Sequence, residues 1–163
     1  VTYPFIKRIF PIPQFFLGAA FGMAVPMAFA AQTEAVPRIG WVMFIAAVLW
    51  AAVYDTIYAM VDREDDLKIG VKSTAILFAD ADRAIIGFMQ LMILFALYLI
   101  GRELAFSHWY WAGLGAGALN FVWLQWLIRR REPDKCFQAF NASHYFGMLV
   151  FLGIALHYLF DGR

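Results

Sequence analysis

The run IGWVMFIAAVLWAAVYDTIYAMV, residues 39–61, contains a single charged residue, Asp55. A helix that crosses a lipid bilayer needs about 20 mostly apolar residues, with a range of roughly 17–25. The run therefore predicts a membrane-spanning helix with one acid inside it. Ionisable side chains in such segments usually face a polar cavity and mark a function, so Asp55 is a candidate site residue.

Further apolar stretches of similar length lie on both sides of this run, at residues 15–31, 84–101, 104–128 and 136–160. In the last of these, polar residues at its start (Asn141, Ser143 and His144) predict that the membrane-buried part begins near Tyr145. The chain is 63% hydrophobic and 15% charged, whereas a soluble domain has about 45–50% apolar and about 25% charged residues. Buried helices of a soluble protein are thereby disfavoured, since too little polar sequence remains to cover a soluble surface.

We therefore predict an all-α fold, a polytopic transmembrane helical bundle with five spans that forms a single domain over residues 1–163. Because the chain begins at Val1 rather than Met, we expect it to be the C-terminal portion of a longer chain. The net charge of +1 argues against a nucleic-acid partner, and the single cysteine, Cys136, excludes a disulfide framework. The small residues Gly113 and Gly117, four positions apart, are typical of a close helix–helix contact.

The Lys and Arg residues of the connecting segments predict the orientation in the membrane, because cytoplasmic loops are enriched in them. With five spans, the basic side would hold Lys7, Arg8, Arg63, Lys68, Lys72, Arg83, Arg129, Arg130, Arg131 and Lys135. The opposite side would hold only Arg38, Arg102 and Arg163. The first set is therefore predicted to be cytoplasmic, and the triplet Arg129–Arg131 is interpreted as an anchor of topology that also contacts anionic lipid.

The second span ends in a stripe of carboxylates. With about 100° per residue, a helix that continues past residue 61 would place Asp62 about −20° and Asp66 about +20° from Asp55. Crowded carboxylates repel one another unless a positive charge lies among them, and oxygen ligands of this kind suit Mg²⁺ bridged to a substrate phosphate. The stripe of Asp55, Asp62 and Asp66 therefore predicts a magnesium site. The alternative is an acid near the interface that pairs with a local Lys or Arg.

Basic residues flank the stripe on the same predicted side. After it, Gly70 can end a helix, so that Lys72 could fold back over a bound anion. Before the first span, Lys7 and Arg8 could hold phosphate or carboxylate oxygens. From charge alone, a purely topogenic role for Lys7 and Arg8 is an equally good interpretation.

Together these residues resemble a known family. Residues 54–76, YDTIYAMVDREDDLKIGVKSTAI, are similar to the second aspartate-rich region of the UbiA superfamily of intramembrane prenyltransferases. Residues 3–8, YPFIKR, and residues 18–22, GAAFG, are also similar to this family. The sequence of residues 54–76 most resembles that of the bacterial members that use 4-hydroxybenzoate in ubiquinone biosynthesis.

The resemblance implies a fold of nine transmembrane helices, of which this chain would supply the last five. The family's other aspartate-rich motif, of the Asn-Asp-x-x-Asp type, is absent from this sequence, so the chain is expected to need a missing N-terminal half of the same enzyme and to be inactive alone. In the family, both aspartate regions hold Mg²⁺ ions that bind the diphosphate of an allylic polyprenyl donor. Asp62 and Asp66 match the second region, and Tyr3 and Lys7 match a Tyr-x-x-x-Lys pair near the diphosphate.

The implied reaction transfers a polyprenyl group from polyprenyl diphosphate to the ring of 4-hydroxybenzoate, at the inner membrane of a bacterium. The sequence hypothesis gives Tyr58 a cation–π role toward the allylic cation, and Lys7, Arg8 or Lys72 the acceptor's carboxylate. Asp55 belongs to the same site with a role left open. Two alternatives remain: a UbiA-type transferase with another aromatic acceptor, such as a naphthoate or a haem, and a secondary transporter with Asp55 as its coupling site.

Overall fold

The computed structural model describes residues 13–63, 77 and 79–161 of the chain. These parts are helical and contain no strand, which confirms the predicted all-α class. The helices are α1 Pro13–Gly22, α2 Ala24–Thr33, α3 Arg38–Val61, α4 Asp82–Glu103, α5 His108–Leu127, α6 Pro133–Ala142 and α7 His144–Phe160. Short 3₁₀ turns, Ala79–Ala81 and Ile128–Arg130, precede α4 and follow α5.

The helices form five rods, in agreement with the five predicted spans. Within the described residues, four rods are long and apolar enough to cross a membrane: Gln14–Thr33, Arg38–Val61, Asp82–Glu103 and Pro133–Phe160. The remaining rod, α5, is a helix of 20 residues, and its Trp, Tyr, Asn and Gln side chains lower its mean hydropathy. The first and last rods are each interrupted once, at Met23 and at Ser143. The second interruption agrees with the predicted start of the buried segment near Tyr145.

Helix α3 lies at the centre of the bundle, where it contacts α1, α2, α4 and α6, while α5 packs mainly against α7. Its side chains Val53 and Ile57 are almost fully buried, together with Ile86 and Ile93 of α4 and Leu124 of α5. Large apolar side chains on the outer faces of the rods are exposed. In a membrane these faces meet acyl chains rather than water, so the exposure is the expected outcome.

Close helix contacts in the bundle are made at glycines. A Cβ atom on Gly113 of α5 would lie 2.7 Å from the Leu149 carbonyl oxygen, and one on Gly153 of α7 would lie 2.9 Å from the Trp109 carbonyl oxygen. Gly18 of α1 meets the backbone of α3 in the same way, 2.7 Å from the Val48 carbonyl oxygen. These distances confirm the predicted close contact at Gly113. Helices in lipid associate in part through such close approach of their backbones.

The end of the bundle where α4 turns into α5 is held by short polar contacts. Ala105 adopts a positive φ of 51° in this turn. The Tyr110 hydroxyl donates to the Leu97 carbonyl oxygen at 2.6 Å, and the backbone N–H of Ser107 donates to Nδ1 of His157 at 3.2 Å. These contacts link the start of α5 to α4 and to α7.

Substitution of Gly113 by Ala is expected to lower the free energy of unfolding by about 1–3 kcal/mol, the usual cost of overpacking. The added methyl group meets a backbone carbonyl oxygen, which cannot move away without separating α5 from α7. The measurement is an unfolding titration with SDS in mixed micelles. Gly115→Ala is the matched control, since nothing lies within 4 Å of that position; equal destabilisation by both substitutions would argue against the glycine contact.

Candidate functional site at the acidic end of the bundle

Helix α3 carries three of the predicted site residues on one face. Asp55, Tyr58 and Asp62 follow the spacing i, i+3, i+7, which places them on neighbouring turns. Asp55 and Asp62 are half-buried, and Tyr58 is exposed. The helix ends at Val61, and Asp62 is its C-cap residue with φ −89° and ψ 4°. We call this end of the bundle, where Asp62 and Asp82 lie, the acidic end.

The predicted stripe assumed a helix that continues through residue 66, whereas α3 ends before Asp62. Asp66 lies outside the described residues, as do Tyr3, Lys7, Arg8 and Lys72. Convergence of Asp62 and Asp66 on one metal ion therefore remains a prediction. Within the described residues, no group of three or more His, Cys, Asp or Glu side chains is close enough to hold a metal ion.

Aromatic side chains line the face of α3 that leads away from the acidic end. Trp50, Tyr54 and Tyr58 are spaced four residues apart, so they lie one above another on successive turns. The ring of Phe140, from α6, packs against the two tyrosines, with centroid distances of 6.1 Å to Tyr54 and 5.0 Å to Tyr58. Trp50 contacts Tyr54 at 6.2 Å and Phe146 of α7 at 6.4 Å. We call this set the aromatic wall; the sequence singled out only its Tyr58.

Two cavities adjoin the aromatic wall and share Trp50. The cavity nearer to Asp55 has a volume of about 290 Å³ and a partly polar lining: Trp50, Tyr54, Phe140, Asn141, Ser143 and His144. The other has a volume of about 250 Å³ and an almost wholly apolar lining from α2, α3, α4 and α7. The buried indole N–H of Trp50 has no hydrogen-bond acceptor among the described residues. A partly polar cavity followed by an apolar one would suit an elongated apolar molecule with a polar head.

A buried ion cluster that the sequence analysis missed lies beside the end of α3. The side chain of Asp82, the first residue of α4, is fully buried. The guanidinium of Arg131 donates from Nε to Oδ2 of Asp82 at 2.9 Å and from Nη2 to Oδ1 at 2.7 Å. Arg63, just beyond α3, approaches the same carboxylate at 3.7 Å. The cluster therefore joins the end of α3, the start of α4 and the segment before α6.

Further contacts fix Arg131 and Asp82 in place. The backbone N–H of Arg83 donates to Asp82 at 2.6 Å, and Nη2 of Arg131 also donates to the Asp80 carbonyl oxygen at 2.8 Å. Arg131 has a positive φ of 56°, and this turn leads the chain from the 3₁₀ turn into α6. Hydrogen bonding to Asp82 raises the pKa of the Arg131 guanidinium. The guanidinium therefore stays positively charged at any physiological pH.

The structure thus separates the arginine triplet that the sequence treated as one anchor. Arg131 is an internal structural cation, while Arg129 and Arg130 are exposed. One signal in the sequence pointed to this pairing: Asp82 lies two residues before the apolar span at 84–101, on the side to which the orientation rule assigns the triplet. That rule gives the side of a charge but not its partner.

The comparisons with known proteins agree with this architecture. Residues 1–154 match the model of the UbiA prenyltransferase family. A 4-hydroxybenzoate octaprenyltransferase of Alkalilimnicola ehrlichii is 56% identical over 155 residues, which cover 95% of this chain and 53% of that relative. One from Aeromonas salmonicida is 53% identical over 159 residues, which cover 98% of this chain and 55% of that relative.

Two solved structures share the same fold at lower sequence identity. The apo structure of a UbiA homolog from Aeropyrum pernix K1 is 22% identical, with a TM-score of 0.77, over 95% of this chain and 58% of that chain. A structure of digeranylgeranylglyceryl phosphate synthase gives a TM-score of 0.76 at 16% identity, over 89% of this chain and 52% of that chain. At these identities the likeness concerns the fold alone.

The fold and the acidic end define an integral membrane protein of the helical-bundle class, with a carboxylate at the end of a central helix that carries a row of aromatic side chains. The chain belongs to the UbiA prenyltransferase family. It spans about half the length of the curated relatives that it matches.

Replacing Asp82 by Asn is expected to lower the free energy of unfolding by about 1–3 kcal/mol, because a buried charge pair loses its anion. The larger penalties known for sealed pairs are not expected, since the Arg131 and Arg63 side chains are 31% and 29% exposed and can be partly hydrated. SDS titration measures the effect. Asp134→Asn, at an exposed position in the first turn of α6, is the control and should cost less than about 1 kcal/mol. Equal losses in both variants would contradict a structural role of Asp82.

Proposed function

We propose that this sequence forms part of a Mg²⁺-dependent enzyme that transfers a polyprenyl group from polyprenyl diphosphate to the ring of 4-hydroxybenzoate, in ubiquinone biosynthesis. Relatives that are more than half identical are named 4-hydroxybenzoate octaprenyltransferase, which favours this acceptor over a naphthoate or a haem. The same names favour an enzyme over a transporter with Asp55 as coupling site. The observation that carries the proposal is the carboxylate-bearing end of α3 beside the aromatic wall and its two cavities.

The donor set at this end fits magnesium. Asp62 is a half-buried carboxylate at a helix end, and carboxylate oxygens are the ligands that Mg²⁺ takes when it also binds substrate phosphates. We propose that Asp62 and Asp66 hold the ion, which when bound would neutralise the diphosphate as the C–O bond breaks. We further propose that Tyr3, Lys7, Arg8 and Lys72 contribute to binding the diphosphate or the acceptor's carboxylate.

The aromatic wall supplies the second requirement of the reaction. Departure of diphosphate leaves an allylic cation, which aromatic faces stabilise through their quadrupole. Tyr58 is the tyrosine of the wall closest along α3 to Asp62, and its ring is buttressed by Phe140 at 5.0 Å. The apolar cavity beyond Trp50 can hold the first isoprene units and exclude water, which would otherwise capture the cation.

We also propose that the acidic end faces the cytoplasm of a bacterial cell and that the lipid tail leaves sideways into the inner membrane. The charge distribution supports this orientation, because most Lys and Arg residues outside the spans fall on that side. Since the relatives are about twice as long as the matched region, the proposal concerns the whole enzyme. Its tests use a chimera, in which this chain is fused to the part of the Alkalilimnicola ehrlichii relative that it does not match.

Substitution of Asp62 or of Asp66 by Ala in this chimera is expected to lower the rate of prenyl transfer at least about 100-fold, because metal stabilisation of the leaving group contributes several kcal/mol. The measurement is incorporation of labelled 4-hydroxybenzoate in membranes with Mg²⁺. Glu103→Ala is the control, since it removes an exposed carboxylate at the opposite end of the bundle; it should retain most activity. Near-normal rates in both Asp variants, or full activity in excess EDTA, would refute the metal site.

Replacement of Tyr58 by Leu is expected to reduce the rate about 30-fold, from a cation–π contribution of about 2 kcal/mol in a desolvated site. Tyr58→Phe should retain most of the rate, because the ring face is kept and only the hydroxyl is lost. Tyr98→Leu is the matched control: Tyr98 is exposed to a similar degree, 43% against 39%, but lies near the opposite end of the bundle. If the Phe variant is as impaired as the Leu variant, the hydroxyl rather than the ring face is the active group.

A further inference from the structure

A small basic cavity lies at the acidic end, lined by residues that flank Arg131 in the chain. It occupies about 110 Å³ between the end of α5 and the start of α6. Its lining consists of Trp126, Leu127, Arg129, Arg130, Glu132 and Lys135. None of these residues belongs to the aromatic wall or to the proposed diphosphate site, so the cavity is a separate feature.

The cavity has an excess of positive charge, with three cations and one carboxylate in its lining. Arg129, Arg130 and Lys135 are all exposed. The carboxylate, Glu132, is 3.8 Å from Arg130, but the two side chains are 50% and 71% exposed, and pairs of that kind are weak. Arg131, in contrast, is held by Asp82. The arrangement leaves at least two cations available to an anionic group.

One wall of the cavity is an aromatic ring that holds a cation. The Arg129 guanidinium carbon lies 4.5 Å from the centroid of the Trp126 ring. This cation–π contact keeps the guanidinium beside an indole that is itself 52% exposed. Half-exposed tryptophans at helix ends are typical of the membrane–water interface. The guanidinium is therefore placed at the depth of lipid headgroups.

An exposed apolar stripe on α5 leads to the same place. Leu119 is 72% exposed, Val122 is 67% exposed, and Trp126 continues the stripe with the spacing i, i+3, i+7. The stripe ends where the basic cavity begins. A free anion would use only the cavity, whereas a lipid would use both, with its acyl chain along the stripe and its phosphate among the cations.

We propose that this basic cavity binds the phosphodiester headgroup of an anionic phospholipid, with an acyl chain along Leu119, Val122 and Trp126. The proposal does not depend on the proposed function, because it uses other residues and another ligand. Arginines suit the ligand, since a guanidinium can bind two phosphate oxygens at once.

The experiment measures retention of phosphatidylglycerol by the purified chain in detergent, by native mass spectrometry with increasing lipid. The double variant Arg129→Gln/Arg130→Gln should bind it about 25-fold more weakly, since each Lys or Arg near an anionic lipid contributes about fivefold. Arg38→Gln/Arg102→Gln is the matched control. It removes the same charge from exposed residues at the opposite end of the bundle, and should leave the affinity unchanged.

A variant that is expected to strengthen lipid binding distinguishes loss of the lipid site from a general loss of folding. Glu132→Gln removes the one carboxylate of the cavity, and should strengthen phosphatidylglycerol binding several-fold. Equal retention of phosphatidylcholine and phosphatidylglycerol would overturn the proposal, as would equal weakening by the two double variants. Displacement of the lipid by inorganic phosphate in excess would identify a site for free anions, and would overturn it as well.

Discussion

The arrangement of the acidic end depends on the ion pairs that the buried carboxylate of Asp82 forms with Arg131 and Arg63. Asp82 has the only charged side chain that is buried among the described residues, and such a group persists only when its charge is compensated. Arg131 and Arg63 provide this compensation from two other segments. Because Arg63 follows α3 and Asp82 begins α4, their contact brings together both ends of the segment that contains Asp66 and Lys72. The ion cluster is thus compatible with the proposal that Asp62 and Asp66 hold one magnesium ion.

The same cluster positions the aromatic wall. Arg131 lies two residues before α6, and α6 carries Phe140, whose ring packs on Tyr54 and Tyr58. The rod then breaks at Ser143, whose hydroxyl donates to the Ala139 carbonyl oxygen at 2.9 Å. Beyond the break, Gly147 of α7 allows Trp50 to lie against the helix, since a Cβ there would be 2.9 Å from the indole ring. Along the rod that α6 and α7 form, the surroundings therefore change from a charged end to a partly polar cavity and then to an apolar cavity.

The sequence was sufficient for the features that depend on hydropathy. The apolar runs predicted the five rods, the polar residues near Ser143 predicted the late start of α7, and Gly113 predicted a close contact. The interruption at Met23 was not predicted, because nothing in GAAFGMAVP differs from a continuous apolar helix apart from Pro26. The pairing of Arg131 was not predicted either. Its selection over Arg129 and Arg130 depends on a positive φ that non-glycine residues seldom adopt.

The candidate site was predictable only in part, because its geometry depends on where α3 ends. A continuous helix would have aligned Asp55, Asp62 and Asp66 by periodicity alone. The helix ends at Val61, so helical periodicity no longer determines how Asp66 is placed relative to Asp62, and the binding of one ion by both residues stays a proposal. Arg63 and Arg131 both contact Asp82, so each already has a carboxylate partner within the protein. In the proposed enzyme, the charge of a diphosphate would then be balanced by the metal ion and by other cations, while the exposed Arg129 and Arg130 would serve the proposed lipid site. Because the buried Asp82 pairs with Arg131 and leaves its two neighbours exposed, one end of the bundle could serve both proposed roles.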